Sequence, residues 1–83
     1  MADMENVPNP QVLIELVTTR MPFGKYKDVL YYQVPVSYLE WMNREGFPKG
    51  KTGMLLSTLY EIKLNGLEFL LHEIIKRNGL GQR

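Results

Sequence analysis

The stretch MPFGKYKDVLYY, residues 21–32, decides what kind of fold this chain adopts. Phe23 and Tyr26 on one side, and Val29 to Tyr32 on the other, are strand-forming residues that flank a polar turn at Lys27-Asp28. This pattern predicts a short β-hairpin, residues 22–26 paired with 29–33. Pro22 disfavours helix at Met21, so a helix arriving from the N-terminal side must end before it. Lys25 and Lys27, two apart, would project to the same side of an extended strand. The segment therefore carries two readings. In one it is a folding element: Pro22 ends a helix, Phe23 and Tyr26 turn inward, and Gly24 permits a close approach. In the other it is a basic grip for an anionic partner.

Outward from this stretch the sequence reads as helix. On the N-terminal side, Asn9 supplies a capping oxygen and Pro10 suits the first helical position. Val12, Leu13, Leu16 and Val17 then recur at helical spacing, up to an end near Thr19. On the C-terminal side, Pro35 opens a second helix carrying Tyr38, Leu39, Trp41 and Met42 on one broad side, and Gly46 stops it. Burial of Phe23 and of Trp41 is expected to contribute ~2–3 kcal/mol each. GFPKGK, residues 46–51, is a loop. From Thr52 onward Leu55, Leu56, Leu59, Ile62, Leu67, Leu70, Leu71 and Ile74 follow a helical pattern. An unbroken helix to Asn78 would be long for so small a domain, and Asn65-Gly66 divides it, with Asn65 and Glu68 at the spacing of a capping box. Lys76 and Arg77 before Asn78-Gly79 make a conventional end. Since an isolated hairpin is marginal in water, it must lie on these helices. The fold expected is α+β: about four helices packed with one short β-hairpin, a single compact domain over residues 9–79. A flexible lead-in over 1–8 precedes it, and a tail over 80–83 follows.

Composition agrees with a folded domain. The 83 residues are 45% hydrophobic and 23% charged, in the range of globular chains and far from disordered ones. No cysteine is present, which removes disulfides, thiolate nucleophiles and thiolate metal ligands. The polar N-terminus MADMENVPNPQ lacks a signal-peptide pattern, and no apolar run is long enough to cross a membrane, so no membrane partner and a cytoplasmic location are expected. The net charge of +1 does not by itself point to nucleic acid. Its distribution is uneven: from 20 to 51 six basic residues (Arg20, Lys25, Lys27, Arg44, Lys49, Lys51) face three acidic ones (Asp28, Glu40, Glu45).

The residues do not announce catalysis. The single histidine, His72, has Glu68 four residues before it, a routine helical pairing. One histidine without cysteine does not make a zinc set. Ser37 and Ser57 lack triad partners in recognisable order. No catalytic residue, metal site or cofactor is expected. GKTG, residues 50–53, contains Gly-Lys-Thr before a helix, yet Glu45 stands where a phosphate loop requires its earlier glycine. What remains there is a helix start beside Lys49 and Lys51, which suits an anion.

Three ordered blocks, MPFGKYKD (21–28), VPVSYLEWMNREGFPKGKTGML (34–55) and LYEIKLNGLEFLL (59–71), resemble a small bacterial family labelled as quorum-sensing-regulated virulence factors, otherwise of unknown function. That label describes when such genes are expressed and names no activity. The first two blocks also resemble the C-terminal accessory domain of exodeoxyribonuclease X-like enzymes, which implies a DNA-holding role for Lys25, Tyr26 and Lys27, with Lys49 and Lys51 adjoining. The chain departs from that pattern at Asp28, where a glycine is usual. Aspartate tolerates the left-handed turn but sets a negative charge beside the lysines.

The function expected is a non-catalytic binding module. Its first reading is binding of DNA or RNA through the hairpin and the PKGK loop, using Lys25, Tyr26, Lys27, Lys49 and Lys51. Its second is a protein-interaction or regulatory module, a homodimer included, linked to quorum-sensing-regulated virulence. Its third is a small-anion or nucleotide binder at the Lys49–Gly53 helix start. Pro22, Phe23, Gly24, Tyr38 and Trp41 are assigned to the structural framework.

Overall fold

Helix α1 (Pro10–Thr18) begins where the capping chemistry places it. The Asn9 Oδ1 accepts a hydrogen bond from the Gln11 amide at 2.7 Å, and Pro10 occupies the first turn, where a missing N–H costs nothing. Leu13, Leu16 and Val17 form its buried stripe. Thr19 turns extended, and its N–H bonds to the Glu15 carbonyl as the last turn closes. The computed structural model describes residues 9–77; the expected lead-in over 1–8, the stop at Asn78-Gly79 and the tail over 80–83 lie outside them.

The segment after α1 overturns the α+β expectation. No strand occurs among the described residues, only a single antiparallel bridge between Arg20 and Leu30, and the architecture is a small all-helical domain. The chain does double back: Met21 N–H bonds to the Val29 carbonyl at 2.8 Å, Asp28 N–H to the Met21 carbonyl at 2.8 Å, and Tyr31 N–H to the Thr19 carbonyl at 3.0 Å. Beyond that neck it coils instead of extending. Lys27 N–H reaches the Gly24 carbonyl and Val29 N–H the Tyr26 carbonyl, closing two overlapping tight turns, with Gly24 at φ 84° and Asp28 at φ 72°. Asp28 thus takes a left-handed conformation, which glycine suits best and aspartate tolerates better than most residues. Tyr31–Gln33 then forms a 3₁₀ turn, and Tyr31 and Val34, three apart, are both buried. The strand propensity of residues 29–32 is spent on side-chain burial; with no third strand to pair with, a ladder there would gain little.

Helix α2 (Val36–Glu45) follows Pro35 and ends at Gly46, whose N–H bonds to the Met42 carbonyl. Helix α3 (Gly50–Leu64) and helix α4 (Glu68–Arg77) complete the domain. Helix α1 packs on α4 and α2 packs on α3, and the 3₁₀ turn touches both α1 and α3. The core between them consists of Leu13, Leu16, Val17, Met21, Tyr31, Val34, Leu39, Met42, Leu55, Leu56, Leu59, Ile62 and Leu71.

The break at Asn65-Gly66 is real, but its mechanism is a helix stop and not a capping-box start. Leu67 N–H bonds to the Ile62 carbonyl at 2.9 Å and Gly66 N–H to the Lys63 carbonyl at 3.3 Å, the paired bonds of a Schellman motif with a left-handed glycine. Glu68, expected to cap backward, instead accepts from the Lys63 Nζ at 3.0 Å.

The start of α3 explains GKTG structurally. A Cβ placed on Gly53 would lie 1.5 Å from the Pro48 carbonyl oxygen, so the FPKG loop folds directly over the bare Cα. Since the intruding atom is backbone, Gly53→Ala is expected to cost about 3 kcal/mol, at the upper end of overpacking penalties. Urea unfolding followed by far-UV circular dichroism measures it; a cost under ~1 kcal/mol would mean that the loop does not lie there.

Candidate functional site: an aromatic cleft beside the loop

Helix α2 buries Leu39 and Met42, three apart, against α3. At 3.6 residues per turn Trp41 sits ~200° around from Leu39, which points it away from that contact. This corrects the assignment of Trp41 to the core: it is 47% exposed, and Phe23, expected to be buried, is 43% exposed. Sequence reasoning grouped four apolar residues of α2 on one broad side, whereas a helix packed on a single neighbour buries a narrower stripe. Phe23 is lifted off the core because the loop coils at Gly24 and does not lie down as a strand.

The aromatic residues left over form an ordered set. Tyr38 and Trp41, three apart on α2, stack with ring centroids 5.7 Å apart and planes at 26°. Tyr26 of the loop meets Tyr38 edge-on at 4.9 Å, a favoured geometry for an aromatic pair. Gly24 makes this approach feasible, since a Cβ there would come within 2.9 Å of the Tyr38 hydroxyl. The Lys25 Nζ lies 5.6 Å from the centroid of the Tyr26 ring, a cation–π contact. Lys25, Tyr26, Ser37, Tyr38 and Trp41 line an open cleft of about 320 Å³. Ser37 was considered from the sequence only as a nucleophile and not as part of a binding surface; its position four residues before Trp41 and next to Tyr38 was the available signal.

Of the basic residues expected to converge, Lys25 and Lys51 line different clefts. Lys25 and Tyr26 belong to the aromatic cleft, and Lys27 is exposed in the adjoining turn. Lys49 is exposed at the N-cap of α3. Lys51 pairs with Glu15 of α1 at 3.0 Å and lines a separate cleft with Arg20 and Pro22. Arg20, absent from the expected set, clamps the loop through a 2.7 Å bond from Nη1 to the Asp28 carbonyl. His72 is exposed and meets Tyr32 edge-on at 6.5 Å, while its expected partner Glu68 is taken by Lys63. Among the described residues no three His, Cys, Asp or Glu side chains gather to hold a metal ion, and no helix is long and apolar enough to cross a membrane.

The chain belongs to the family described as "Putative quorum-sensing-regulated virulence factor", whose profile matches residues 9–74. It is similar to "Uncharacterized protein YpeB" of Escherichia coli K12, 43% identical over 63 residues that cover 75% of this chain and 88% of the relative. The same protein of Escherichia coli O157:H7 matches with the same identity and coverage. No solved structure matches the chain. None of these matches carries the resemblance to the exodeoxyribonuclease X accessory domain.

The geometry separates framework from surface within α2. Leu39→Ala, fully buried, should cost about 2–5 kcal/mol, whereas Trp41→Ala should cost about 1 kcal/mol, the scale of one exposed stacking contact. Thermal or urea unfolding of the two variants distinguishes them, and equal costs would return Trp41 to the core.

Proposed function

We propose that this family member is a non-catalytic binding module that takes single-stranded nucleic acid at the aromatic cleft. The observation that carries the reading is Trp41, the chain's one tryptophan, held against Tyr38 with nearly half of its surface in water. Burying such a ring would contribute ~2–3 kcal/mol in a domain with little stability to spare, so its placement outside suits a contact surface. The Tyr38–Trp41 pair is too close for a third ring to enter between them, and a base would take the outer face of Trp41. Bases inside a duplex have no free face to offer, so the cleft favours unpaired bases. Lys25 and Lys27 stand nearby in the loop for phosphates, while Lys51 is already committed to Glu15. Such a ligand fits a cytoplasmic site of action.

A second reading, a protein partner or a second copy of the chain, draws on Leu64 and Phe69, 56% and 57% exposed on either side of the Asn65-Gly66 corner. Exposed apolar side chains gathered in one place favour partners, yet these two offer no polar groups to fix an orientation.

Titrating oligothymidine while following Trp41 fluorescence tests the first reading, because the signal comes from the ring in question. Quenching is expected with a single strand and much less with a duplex. With two phosphates engaged, the logarithm of affinity should fall against the logarithm of salt with a slope near ~1.4 in magnitude. Trp41→Ala should lose ~1–3 kcal/mol of binding. No quenching at low salt would overturn nucleic-acid binding, and concentration-dependent sedimentation would then decide for the second reading.

A further inference from the structure

A second cleft, of about 370 Å³, opens between α1, the neck of the loop and the start of α3, and shares no residue with the aromatic cleft. Glu15, Arg20, Tyr31, Lys51, Thr52 and Leu55 are among its lining residues. Its volume lies at the small end of the range for small-molecule sites.

Tyr31 is the informative member. It is 2% exposed, buried between α1 and α3 by the 3₁₀ turn. Among the described residues its hydroxyl has no hydrogen-bond partner, yet no side-chain oxygen there is both sealed from solvent and unpaired. The Tyr31 hydroxyl therefore keeps some contact with solvent, and Tyr31 lines the cleft. A buried tyrosine normally finds a partner for its O–H, and a phenylalanine would fill the same core volume. The hydroxyl is thus surplus to the packing.

The surrounding charges point to the kind of partner it lacks. Arg20 and Lys51 against Glu15 give the lining a formal charge of +1 (two minus one). Helix α3 starts with no side-chain cap and no acidic residue in its first turn, so none of its own side chains neutralises its positive end. Leu55 supplies an apolar floor. We infer that this cleft binds a small organic anion, a carboxylate or phosphate monoester with a compact apolar body. The anionic head sits between Arg20 and Lys51 and accepts hydrogen bonds from the Tyr31 and Thr52 hydroxyls, and the body rests on Leu55. Glu15 competes with the ligand for Lys51, since it holds that ammonium at 3.0 Å in the unliganded chain.

The competition supplies the test. Benzoate and inorganic phosphate are titrated separately into the ¹⁵N-labelled full chain at constant ionic strength, and the amide shifts of Arg20, Tyr31, Lys51 and Thr52 are followed. Saturable shifts are expected with at least one probe; saturation by benzoate alone shows that the apolar body contributes, and by both that the head suffices. Tyr31→Phe should weaken binding roughly 2- to 10-fold, the worth of one hydrogen bond, with an unchanged unfolding midpoint. Glu15→Gln should tighten it by a similar factor, and Trp41→Ala should leave it unchanged. Saturation by neither probe, or binding indifferent to either Tyr31→Phe or Glu15→Gln, overturns the site.

Discussion

The burial of Tyr31 between α1 and α3 is the contact on which the rest of the molecule depends. It belongs to the 3₁₀ turn that packs on α1 and α3, one helix from each pair, and its N–H is tied to the Thr19 carbonyl at the end of α1. The hydrogen bond ties together the two ends of the loop over residues 20–30, and the burial anchors its C-terminal end. With the neck closed, the coil inside it has one orientation, and Gly24 is brought against the Tyr38 hydroxyl. The aromatic cleft therefore exists because a residue outside it is buried. The second cleft depends on the same residue more directly, since Tyr31 is part of its wall.

A domain of 83 residues without disulfides works near the lower limit of autonomous folding. Its buried set is almost entirely aliphatic: leucines from α1, α2, α3 and α4 with two methionines, two valines, an isoleucine and Tyr31. In such a core the large aromatics would have been the most effective residues to bury. Trp41 and Phe23 stay outside, and Tyr26 and Tyr38 are only half in. The domain thus derives its cohesion from leucine packing along α3, whose face is buried from Leu55 to Ile62, and leaves Phe23, Tyr26, Tyr38 and Trp41 at or near the surface around the loop.

Much of this was legible in the residues, and the failures share a cause. Capping chemistry located the helix ends: Asn9-Pro10, Gly46 and Asn65-Gly66 each act locally, through hydrogen bonds to residues a few positions away. Gly24 and Asp28 were likewise readable, because their requirement is a backbone angle at one site. The hairpin failed because β-propensity describes a residue's fit to a pleated surface, and here the surface offered to Val29–Tyr32 was a groove between helices. Trp41 failed because helical periodicity fixes which residues share a face but not how many neighbours cover it. The convergence of Lys25, Lys27, Lys49 and Lys51 was a question of tertiary geometry from the outset. Glu15, thirty-six residues from Lys51, gave no local sign that it would take that charge.

The engagement of lysines within the chain limits the kind of recognition they can support. At physiological ionic strength charges act over ~8 Å, so isolated cations contribute only where a ligand touches them. Lys25 is drawn over Tyr26, Lys51 is held by Glu15, and Lys63 by Glu68. A net charge of +1 supplies no long-range field to gather a polyanion. Affinity at either proposed site would therefore come from short-range contacts: a ring face beside Trp41 in one, a hydroxyl and a shared ammonium in the other. Stacking rewards any flat partner, and its selectivity lies in whether a face is free. Hydrogen bonds in the second cleft reward a defined head group and penalise its absence. Two clefts with such different chemistry, both built around one pinned loop, make the loop the organising element of the two proposed sites, as Tyr31 is of the fold.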